Sequence, residues 1–599
     1  MKTLLTIACL FVVTSIEIVS FAAPKVFGQE KKTATVNPSP SLTAQVDKLF
    51  AQWDKPDSTG CALGIIKDGK LIYTHGYGMA NLDYSIPLSS KSVFDIGSMV
   101  KQFIGMSILL LAKDGKLSLD DEIQKYLPEI PRYQSPITIR HLIHHTSGIR
   151  THYWLTDLAG ISSFDLTDDD VLGLIARQKG LNNKPGEEFI YTDTSYFLLG
   201  LIVQKVSGKS VHEFANENIF KPLGMTHTIL EVDRSLPAAN RATCHNCGGH
   251  GGGISRRGEM DTTIEDLFLW DQNFYNNKLG GGPDLISKQI SAGKLNNGES
   301  TNYAFGLNVN DYKGLKRIGH AGSSISGGTV MVRFPEQNFS VICFCNGILG
   351  DTSPSGLANQ VADIFLADQF KKVPGSVGTT VPAISIPEKD LANLTGAYFD
   401  PITEASIYRF FIQDGKLMID PNFNKGPGVV LTPLSPNRFR TAGATHEFVF
   451  VRSVGGGPMR VKDIYGGKTK TFDAFQSETL SSAQLVEFTG TYVSDELAEA
   501  TYTLSIRDGK LVFLIRSGAT VFNAKGQVWA ITSARVREPP KELVLTPAFA
   551  DAFTTYVDGD LVILRFIRNQ QKAVLGFTLS ASRARGLHFN RLHASLLQQ

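Results

Sequence analysis

The chain has 599 residues, too many for a single hydrophobic core, so several domains are expected. A hydrophobic content of 42% and a charged content of 19% are those of an ordinary globular protein. The net charge of +2 gives no electrostatic argument for a nucleic-acid partner or an acidic membrane surface, and we expect neither.

The first residues have the pattern of an export signal. A lysine near the start precedes an apolar run from Leu4 to Ile16, and the small residues of Ser20–Ala23 suit a cleavage site. The run is short for a membrane helix, although an uncleaved anchor is an alternative. We expect residues 1–23 to be a signal peptide and 24–40 a flexible lead-in. The mature protein would then be periplasmic or secreted, with no membrane span.

Residues 41–372 mix strand and helix patterns. Apolar stretches on both sides of the Asp68-Gly69 turn predict one hairpin, and Thr329–Cys345 predicts another. Helical patterns lie between the two hairpins, among them residues 98–113, 196–206 and 263–274. Strands at both ends with helices between them predict an α+β fold, in which an antiparallel sheet is flanked by a helical region.

A Pro- and Gly-rich linker at 373–384 precedes an all-strand pattern that repeats. The segment Leu394–Tyr398 is followed by Gln413–Leu417, and the similar segment Phe488–Tyr492 is followed by Arg507–Leu511, with the same glycine-to-aspartate separation. We therefore predict two related β modules, 385–478 and 479–599. Each is expected to be a small antiparallel barrel, because closure removes exposed strand edges.

A candidate nucleophile stands at the start of the predicted 98–113 helix. Ser98 and Lys101 are three residues apart and share one helix face, where a lysine with a depressed pKa can take the serine proton. Gly97 allows a tight turn, and the apolar run that follows predicts burial. The alternative is a chance surface pair. Ser291–Lys294 has the same spacing, but it contains a glycine and precedes polar residues, so it is not favoured.

Two later segments supply further candidates. Tyr191 lies between a Pro-Gly turn and an apolar helix, where a phenol near two cations can act as a base or pass a proton to a leaving group. A packing aromatic is the alternative. The small residues of Ile318–Ser323 would let a substrate backbone lie beside a strand and expose N–H donors to an oxyanion. His320 could steady a carboxylate or share protons near pH 7, or be an ordinary loop histidine.

Three motifs together resemble the serine β-lactamase-like superfamily, which contains class C β-lactamases, DD-peptidases, D-aminopeptidases and related esterases. They are Ser98-x-x-Lys101, Tyr191-x-Asp193 and His320-x-Gly322, in that order, and the resemblance covers residues 45 to 370. The resemblance implies a sheet with an all-helical subdomain beside it. It also implies that Ser98 is the acylated nucleophile, that Lys101 is its base partner and that Tyr191 completes the proton relay.

The same resemblance assigns the substrate strand. It implies an oxyanion hole formed by the backbone N–H groups of Ser98 and Ser323, with His320 and Gly322 lining the substrate. The His320 position carries Lys in class C β-lactamases, so the chain is more similar to D-aminopeptidases and certain DD-peptidases. This difference counts against efficient β-lactam hydrolysis.

The second motif departs from the usual Tyr-x-Asn, because Asp193 replaces a neutral amide. A negative charge there could raise the pKa of Lys101, weaken an amide contact to the substrate, or favour a cationic ligand, and we expect Asp193 to bind substrate. A catalytic domain followed by two β modules also resembles the D-aminopeptidase layout, and the modules could shape the cleft.

We therefore predict an exported serine hydrolase that acts through an acyl-enzyme, without a cofactor, on amide or ester bonds. Its expected substrates are small molecules or short peptides, especially peptides with D-amino acids or simple esters. The alternative is a weak or inactive binding protein for cell-wall peptides or β-lactams.

Removal of the signal leaves five cysteines, an odd number that cannot all pair within one chain. Cys343 and Cys345 alternate along a predicted strand and are expected to be buried free thiols. Cys244 and Cys247 with nearby histidines suggest zinc, but one Cys-x-x-Cys lacks a second ligand pair. A redox-labile or disulfide-linked loop is favoured, and no metal is expected.

Overall fold

The computed structural model describes residues 39–161, 166–230, 240–244, 260–324, 327–347, 349–350, 352–370, 384–421, 428–441, 446–452, 457–465, 468–497, 500–516, 520–522, 528–530, 541–557 and 559–592. The predicted signal peptide, nearly all of the lead-in and linker, and Cys247 with its neighbouring histidines lie outside these residues. Within the described part of the chain, no helix is both long enough and apolar enough to cross a lipid bilayer.

A six-stranded antiparallel sheet organises the first domain. Its strands are β1 (Cys61–Lys67), β2 (Lys70–Tyr77), β3 (Asn308–Tyr312), β4 (Leu315–Ser324), β5 (Gly327–Phe334) and β6 (Phe339–Cys345), in the spatial order β2-β1-β6-β5-β4-β3. The two predicted hairpins are β1–β2 and β5–β6. They meet in the middle of the sheet, where β1 pairs with β6 from Cys61 opposite Cys345 to Lys67 opposite Phe339.

Helices cover both faces of this sheet. We number four of them: α1 (Pro40–Phe50), α2 (Lys101–Lys113), α3 (Asp193–Ser207) and α4 (Pro354–Phe365). Leu63 and Ile65 of β1 pack in the same cluster as residues of α1 and α4, whereas Ala62 and Ile66 pack in the cluster that contains α2 and α3. Alternate side chains of β1 are therefore buried on opposite faces, which explains its continuous apolar sequence.

The helical region lies on the α2 side of the sheet, and α2 and α3 contact each other at its centre. Its other α-helices are Ile139–Ile143, His152–Ala159, Asp168–Ala176, Val211–Ala215, Lys221–Leu223, Ile264–Asn273 and Gly282–Gln289. A π turn at Asn216–Phe220, 3-10 turns at Gly97–Val100, Ile123–Lys125 and Pro335–Gln337, and short strands at Met79–Asn81, Ile86–Pro87, Phe94–Asp95, Ile229–Leu230 and Met260–Thr262 complete this domain.

Two closed eight-stranded barrels follow. The strands of the first are Gly396–Phe399, Ile407–Gln413, Lys416–Asp420, Val429–Ser435, Arg438–Thr441, Glu447–Arg452, Met459–Tyr465 and Lys468–Phe475, preceded by a helix at Glu388–Ala392. The strands of the second are Gly490–Ser494, Ala500–Arg507, Lys510–Arg516, Lys541–Pro547, Ala552–Val557, Asp560–Arg568, Val574–Ala581 and Ala584–Arg591. Helical turns at Ser482–Leu485, Val486–Phe488 and Asp495–Leu497 and a two-stranded ribbon, Thr520–Phe522 with Val528–Ala530, accompany it. The predicted fold class, an α+β domain followed by two barrel-like domains, is confirmed.

The sequence repeat marks the same structural positions in both barrels. Tyr398 donates a hydrogen bond from its hydroxyl to the Leu394 carbonyl at 3.0 Å, and Tyr492 donates to the Phe488 carbonyl at 2.9 Å. The Asp414-Gly415 and Asp508-Gly509 pairs, all with positive φ, form the turn between the second and third strands of each barrel. Such two-residue turns match the twist of a hairpin, so the repeat fixes equivalent hairpins.

The second barrel shares a core with the first domain. Trp154, Leu155 and Leu158 of the helix His152–Ala159 pack in one cluster with the aromatic interior of this barrel. The Tyr502 hydroxyl inside the barrel donates to the Leu158 carbonyl at 2.7 Å. The helix therefore closes one end of the barrel and joins the two domains through buried apolar surface.

A buried ion pair also crosses this junction. Arg150 Nη1 lies 2.7 Å from Glu496 Oε2, with 3% and 1% of the two side chains exposed. The same guanidinium donates to the Gln178 amide oxygen and to the carbonyls of Arg585 and Gly586. These bonds fix the second barrel against the loops of the first domain.

One cysteine prediction is wrong. Cys345 is not a free thiol, because the register of β1 and β6 places it opposite Cys61, and the two form a disulfide. Cys343 is a buried free thiol, as expected. Cys244 is also disulfide-bonded.

Candidate active site

Ser98 lies in the 3-10 turn Gly97–Val100, which leads directly into the buried helix α2. Lys101 Nζ is 3.0 Å from Ser98 Oγ and donates a hydrogen bond to it. Ser98 is half-buried, whereas only 5% of the Lys101 side chain is exposed. The three-residue spacing therefore brings an amine against a hydroxyl that stays open to solvent on one side.

The second Ser-x-x-Lys has no such geometry. Ser291 and Lys294 follow the helix Gly282–Gln289 in an irregular segment, and the backbone of Lys294 pairs with Ser300. The two side chains therefore do not share a helix face. The helical context therefore distinguishes the Ser98–Lys101 motif from the Ser291–Lys294 motif, as the sequence indicated.

Asp193 is the first residue of α3 and forms an ion pair with Lys101. Its Oδ1 is 2.6 Å from Lys101 Nζ, and 23% of its side chain is exposed. Burial disfavours the charged amine, but Asp193, followed by Tyr191, opposes burial, and their combined effect holds the pKa of Lys101 above its ordinary value. Burial also raises the pKa of Asp193, but Lys101 opposes this effect and lowers that pKa to about 2. At neutral pH the pair is an ammonium and a carboxylate.

Tyr191 stands over this pair. Lys101 Nζ lies 5.1 Å from the centre of the Tyr191 ring. The Tyr191 hydroxyl is buried and makes no well-formed hydrogen bond with described residues, although Ser98 and Lys101 both act on its proton affinity. Burial raises the pKa of Tyr191 despite the opposing charge of Lys101, so the phenol is protonated in the resting site.

The turn that carries Ser98 is seated on the end of β4. Gly97 has φ +51°, and a Cβ at Gly97 would lie 2.5 Å from the Ser323 carbonyl oxygen and 2.9 Å from the Ser323 nitrogen. A Cβ at Gly322 would lie 1.9 Å from the Ile96 carbonyl oxygen. Only glycine permits this approach, which brings the Ser98 backbone beside that of Ser323.

The end of β4 has an open backbone edge. Strand β3 pairs with β4 only as far as Asn308 opposite Gly319. Beyond that point the residues of His320–Ser324 pair with β5 on one side, and no described strand pairs with them on the other. Such an edge can bind an extended substrate backbone, and Ser323 on this edge is exposed.

His320 is buried against Tyr303. Its Nε2 accepts a hydrogen bond from the Tyr303 hydroxyl at 3.0 Å, and its Nδ1 lies 2.6 Å from the Ala321 carbonyl oxygen, so Nδ1 carries the proton. Burial, followed by the Lys101 charge, lowers the pKa of His320 to about 4. His320 is neutral at pH 7 with both nitrogens engaged. It therefore positions β4 and offers no charge to a substrate carboxylate.

Sequence reasoning assigned no role to two histidines that hold the Tyr191–Asp193 segment. His145 Nδ1 accepts from the Thr192 N–H at 3.2 Å, and the His145 ring lies 4.4 Å from the Tyr191 ring. His152 Nδ1 is 3.0 Å from Thr194 Oγ1. Burial lowers the pKa of both histidines, to about 4 for His152. The contact of His145 with Thr192 joins residues 47 positions apart, and no local pattern in the sequence indicates it.

Among the described residues, one group of three cysteine sulfurs is compact enough to hold a metal ion. The atoms belong to Cys61, Cys343 and Cys345, and lie within 4.8 Å of one another. Two of them share the disulfide, and burial raises the pKa of the Cys343 thiol. The oxidised cluster therefore offers no thiolate set for a metal.

Comparisons with known proteins concern the domain that contains this site. A family model described as Beta-lactamase matches residues 46–363. Penicillin-binding protein 4* of Bacillus subtilis (strain 168) is 30% identical over 309 residues, covering 46% of this chain and 66% of that protein. Protein flp of Staphylococcus aureus (strain N315) is 28% identical over 324 residues, covering 50% of this chain and 62% of that protein. The chain thus spans about two thirds or less of the length of these curated relatives.

Solved structures are also similar. The octameric penicillin-binding protein homologue from Pyrococcus abyssi has a TM-score of 0.48 and 22% identity, with 72% of this chain and 99% of that chain covered. The D-amino acid amidase from Ochrobactrum anthropi SV3 complexed with D-phenylalanine has a TM-score of 0.46 and 20% identity, with 55% and 100% covered. The family model ends before the first barrel, so both barrels lie outside the matched residues.

Proposed function

Because the chain belongs to the beta-lactamase family, whose members are generally serine hydrolases of amides and esters, we propose that Ser98 is the nucleophile of an exported serine hydrolase. The proposed substrates are small peptides with D-amino acids or simple esters. The observation that carries the proposal is the 3.0 Å contact between Lys101 Nζ and Ser98 Oγ, on a half-buried turn beside the open edge of β4. The Cys61–Cys345 disulfide supports export, because such bonds persist in oxidising compartments.

In the proposed acylation, Ser98 Oγ attacks the substrate carbonyl carbon while the neutral Lys101 amine accepts its proton. The oxygen of that carbonyl would face the backbone N–H groups of Ser98 and Ser323. The C–N or C–O bond then breaks, and the leaving group takes a proton through the buried Tyr191 hydroxyl. In the second half-reaction water attacks the ester carbonyl on Ser98, the ester C–O bond breaks, and the acyl group leaves as a carboxylic acid while Ser98 Oγ regains its proton.

This scheme needs Lys101 to lose its own proton first. In the resting site Lys101 donates to both Ser98 and Asp193, which is the opposite of a base accepting from Ser98. Asp193 holds the amine in its charged form, since it raises the pKa of Lys101. Activity should therefore rise as the pH increases into the alkaline range, where more of the enzyme carries the neutral amine.

A fluorophosphonate probe tests the nucleophile. We expect covalent labelling of the wild-type protein that rises with pH and is lost in Ser98→Ala. Ser291→Ala is the matched control, because Ser291 has the same spacing to a lysine without the helical geometry, and it should label like the wild type. Labelling that survives Ser98→Ala, or its absence at every pH with folded protein, contradicts the proposal.

The charged Lys101–Asp193 pair favours one second candidate, a weak or inactive binding protein. A permanently protonated Lys101 would leave Ser98 without a base while the open edge of β4 still held a peptide. Intact-mass detection of an acyl adduct, across a panel of amides, esters and lactams, separates the two functions. Saturable binding without any adduct at pH 7 or pH 9 would support the binding protein.

A further inference from the structure

A turn of the second barrel docks beside the candidate active site. Arg583 lies in the turn between the barrel strands Val574–Ala581 and Ala584–Arg591. Its carbonyl oxygen accepts hydrogen bonds from the Thr151 N–H and from Asn182 Nδ2, each at 3.1 Å. These two bonds tie the backbone of Arg583 to the first domain.

The neighbouring Arg585 holds the same turn in place. Its N–H donates to Asn182 Oδ1 at 2.8 Å, and its guanidinium donates to both carboxylate oxygens of Glu188, at 2.7 and 3.2 Å. Arg585 thus forms a bidentate ion pair with Glu188, and its two parallel hydrogen bonds fix the geometry of the pair. The turn is anchored through the Arg583 carbonyl and through Arg585, so the position of the Arg583 backbone does not depend on the Arg583 side chain.

The Arg583 side chain reaches the site from this anchored turn. Its guanidinium carbon lies 5.7 Å from the centre of the Tyr191 ring, the same ring that stands 5.1 Å from Lys101 Nζ. Arg583 is exposed, and its guanidinium makes no ion pair or hydrogen bond with any described residue. A cation–π contact with Tyr191 leaves the N–H donors of Arg583 available to a ligand.

Arg583 differs from the other ionisable residues near Ser98 in its net charge. Lys101 and Asp193 neutralise each other in an ion pair. The ring nitrogens of His145, His152 and His320 are buried, and these histidines are neutral at pH 7 because burial lowers the pKa of each. Among the described residues that contact Tyr191 or Lys101, Arg583 is therefore the only one that contributes an uncompensated charge.

We propose that Arg583, supplied by the second barrel, is a specificity-determining residue that binds an anionic group of the substrate, such as a free carboxylate. An arginine fork matches a carboxylate with two parallel N–H donors. The inference rests on the proposed function and deepens it, since it names the charge of the substrate. It also gives the second barrel a role at the active site.

The test measures binding, so that it does not depend on turnover. The probes are dansyl-D-phenylalanylglycine with a free carboxylate and the same peptide as its C-terminal amide. Fluorescence anisotropy gives the Kd of each for Ser98→Ala, which cannot be acylated, and for Ser98→Ala combined with Arg583→Gln, Arg583→Lys or Lys416→Gln. Lys416 is an exposed cation on a hairpin of the first barrel and controls for net charge.

We expect Ser98→Ala to bind the carboxylate probe about tenfold more tightly than the amide, with the preference weakening at high salt. Arg583→Gln should abolish the preference without weakening amide binding, Arg583→Lys should keep part of it, and Lys416→Gln should keep all of it. Equal affinity for the two probes, no binding of either, or a preference that survives Arg583→Gln overturns the proposal. Fluorophosphonate labelling of the wild-type protein tests the proposed serine hydrolase activity independently of this binding experiment.

Discussion

Replacing Asp193 with asparagine should shift the pH dependence of Ser98 acylation to lower pH. Asp193→Asn removes the carboxylate that keeps Lys101 charged, but it leaves an amide oxygen at the same position. Burial, which disfavours the ammonium, then dominates the pKa of Lys101. The neutral amine that Ser98 needs becomes more abundant at any given pH.

The size of the effect follows from the geometry. At the 2.6 Å separation of Lys101 Nζ and Asp193 Oδ1, two unit charges attract by about 1.6 kcal/mol in a water-like dielectric and by about 6 kcal/mol at an effective dielectric constant of about 20. Even the lower figure raises the neutral fraction of Lys101 by about tenfold at a fixed pH. The midpoint of the pH–rate profile should therefore move down by about one pH unit or more.

The assay is the rate of fluorophosphonate labelling, or of activated-ester acylation, at each pH between 6 and 10, where a downward shift of the midpoint appears as a higher rate at the same pH. Glu187→Gln is the control, because Glu187 is an exposed carboxylate of a nearby loop whose contact with Lys184 is 3.9 Å long. It should leave the midpoint where it is. A midpoint that stays or moves up in Asp193→Asn would refute the reasoning that Asp193 stabilises the charged form of Lys101.

The remaining predictions concern the relay, the pH dependence of stability, the domain junction and the leader. Tyr191→Phe should lower kcat/KM by about a hundredfold or more, yet change stability by less than about 1 kcal/mol, because the hydroxyl makes no well-formed hydrogen bond with the described residues; chemical denaturation beside the kinetics checks both. The pKa of Asp193 is lowered from 3.8 to about 2, so its contribution to stability is present above pH 4 and lost as the pH falls through about 2; acid unfolding of Asp193→Asn should show a flatter profile in that window. Arg150→Met should cost about 3–5 kcal/mol, because it leaves the buried Glu496 carboxylate without its counter-ion and with only the backbone N–H groups of Lys179 and His588 as donors; the Arg150→Met/Glu496→Met double variant should recover much of that loss, and equal stability losses in the single and double variants would contradict the assignment of a buried charge. The proposed signal peptide predicts that mass spectrometry of the protein from an exporting host finds an N-terminus close to Pro24; an intact Met1 would contradict cleavage.

Local signals predicted the elements that depend on neighbouring residues. The Asp68-Gly69 turn and the apolar runs on both sides predicted the β1–β2 hairpin, and the burial of both faces of β1 explains why its sequence does not alternate. The helix predicted from Tyr196 begins at Asp193, three residues earlier. Periodicity marks the apolar part of a helix, and its first turn here is occupied by polar residues of the site.

Contacts between residues far apart in the chain could not be predicted from the sequence. Cys345 bonds to Cys61 because two distant hairpins pair in one register, and nothing in the local pattern of Cys343 and Cys345 reveals that register. Arg583 stands in an ordinary-looking turn, and its approach to Tyr191 follows from the docking of the second barrel. The motifs indicated which residues meet around Ser98, whereas the charge state of that group required the distance between Lys101 and Asp193.

The most direct measurement is the intact mass of the protein after brief exposure to an activated ester at pH 9, followed by peptide mapping of any adduct. The account predicts one acyl group per chain, located on the peptide that contains Ser98, formed faster at pH 9 than at pH 7 and absent from Ser98→Ala. An adduct on another residue, or no adduct while the protein turns over the ester, would contradict it.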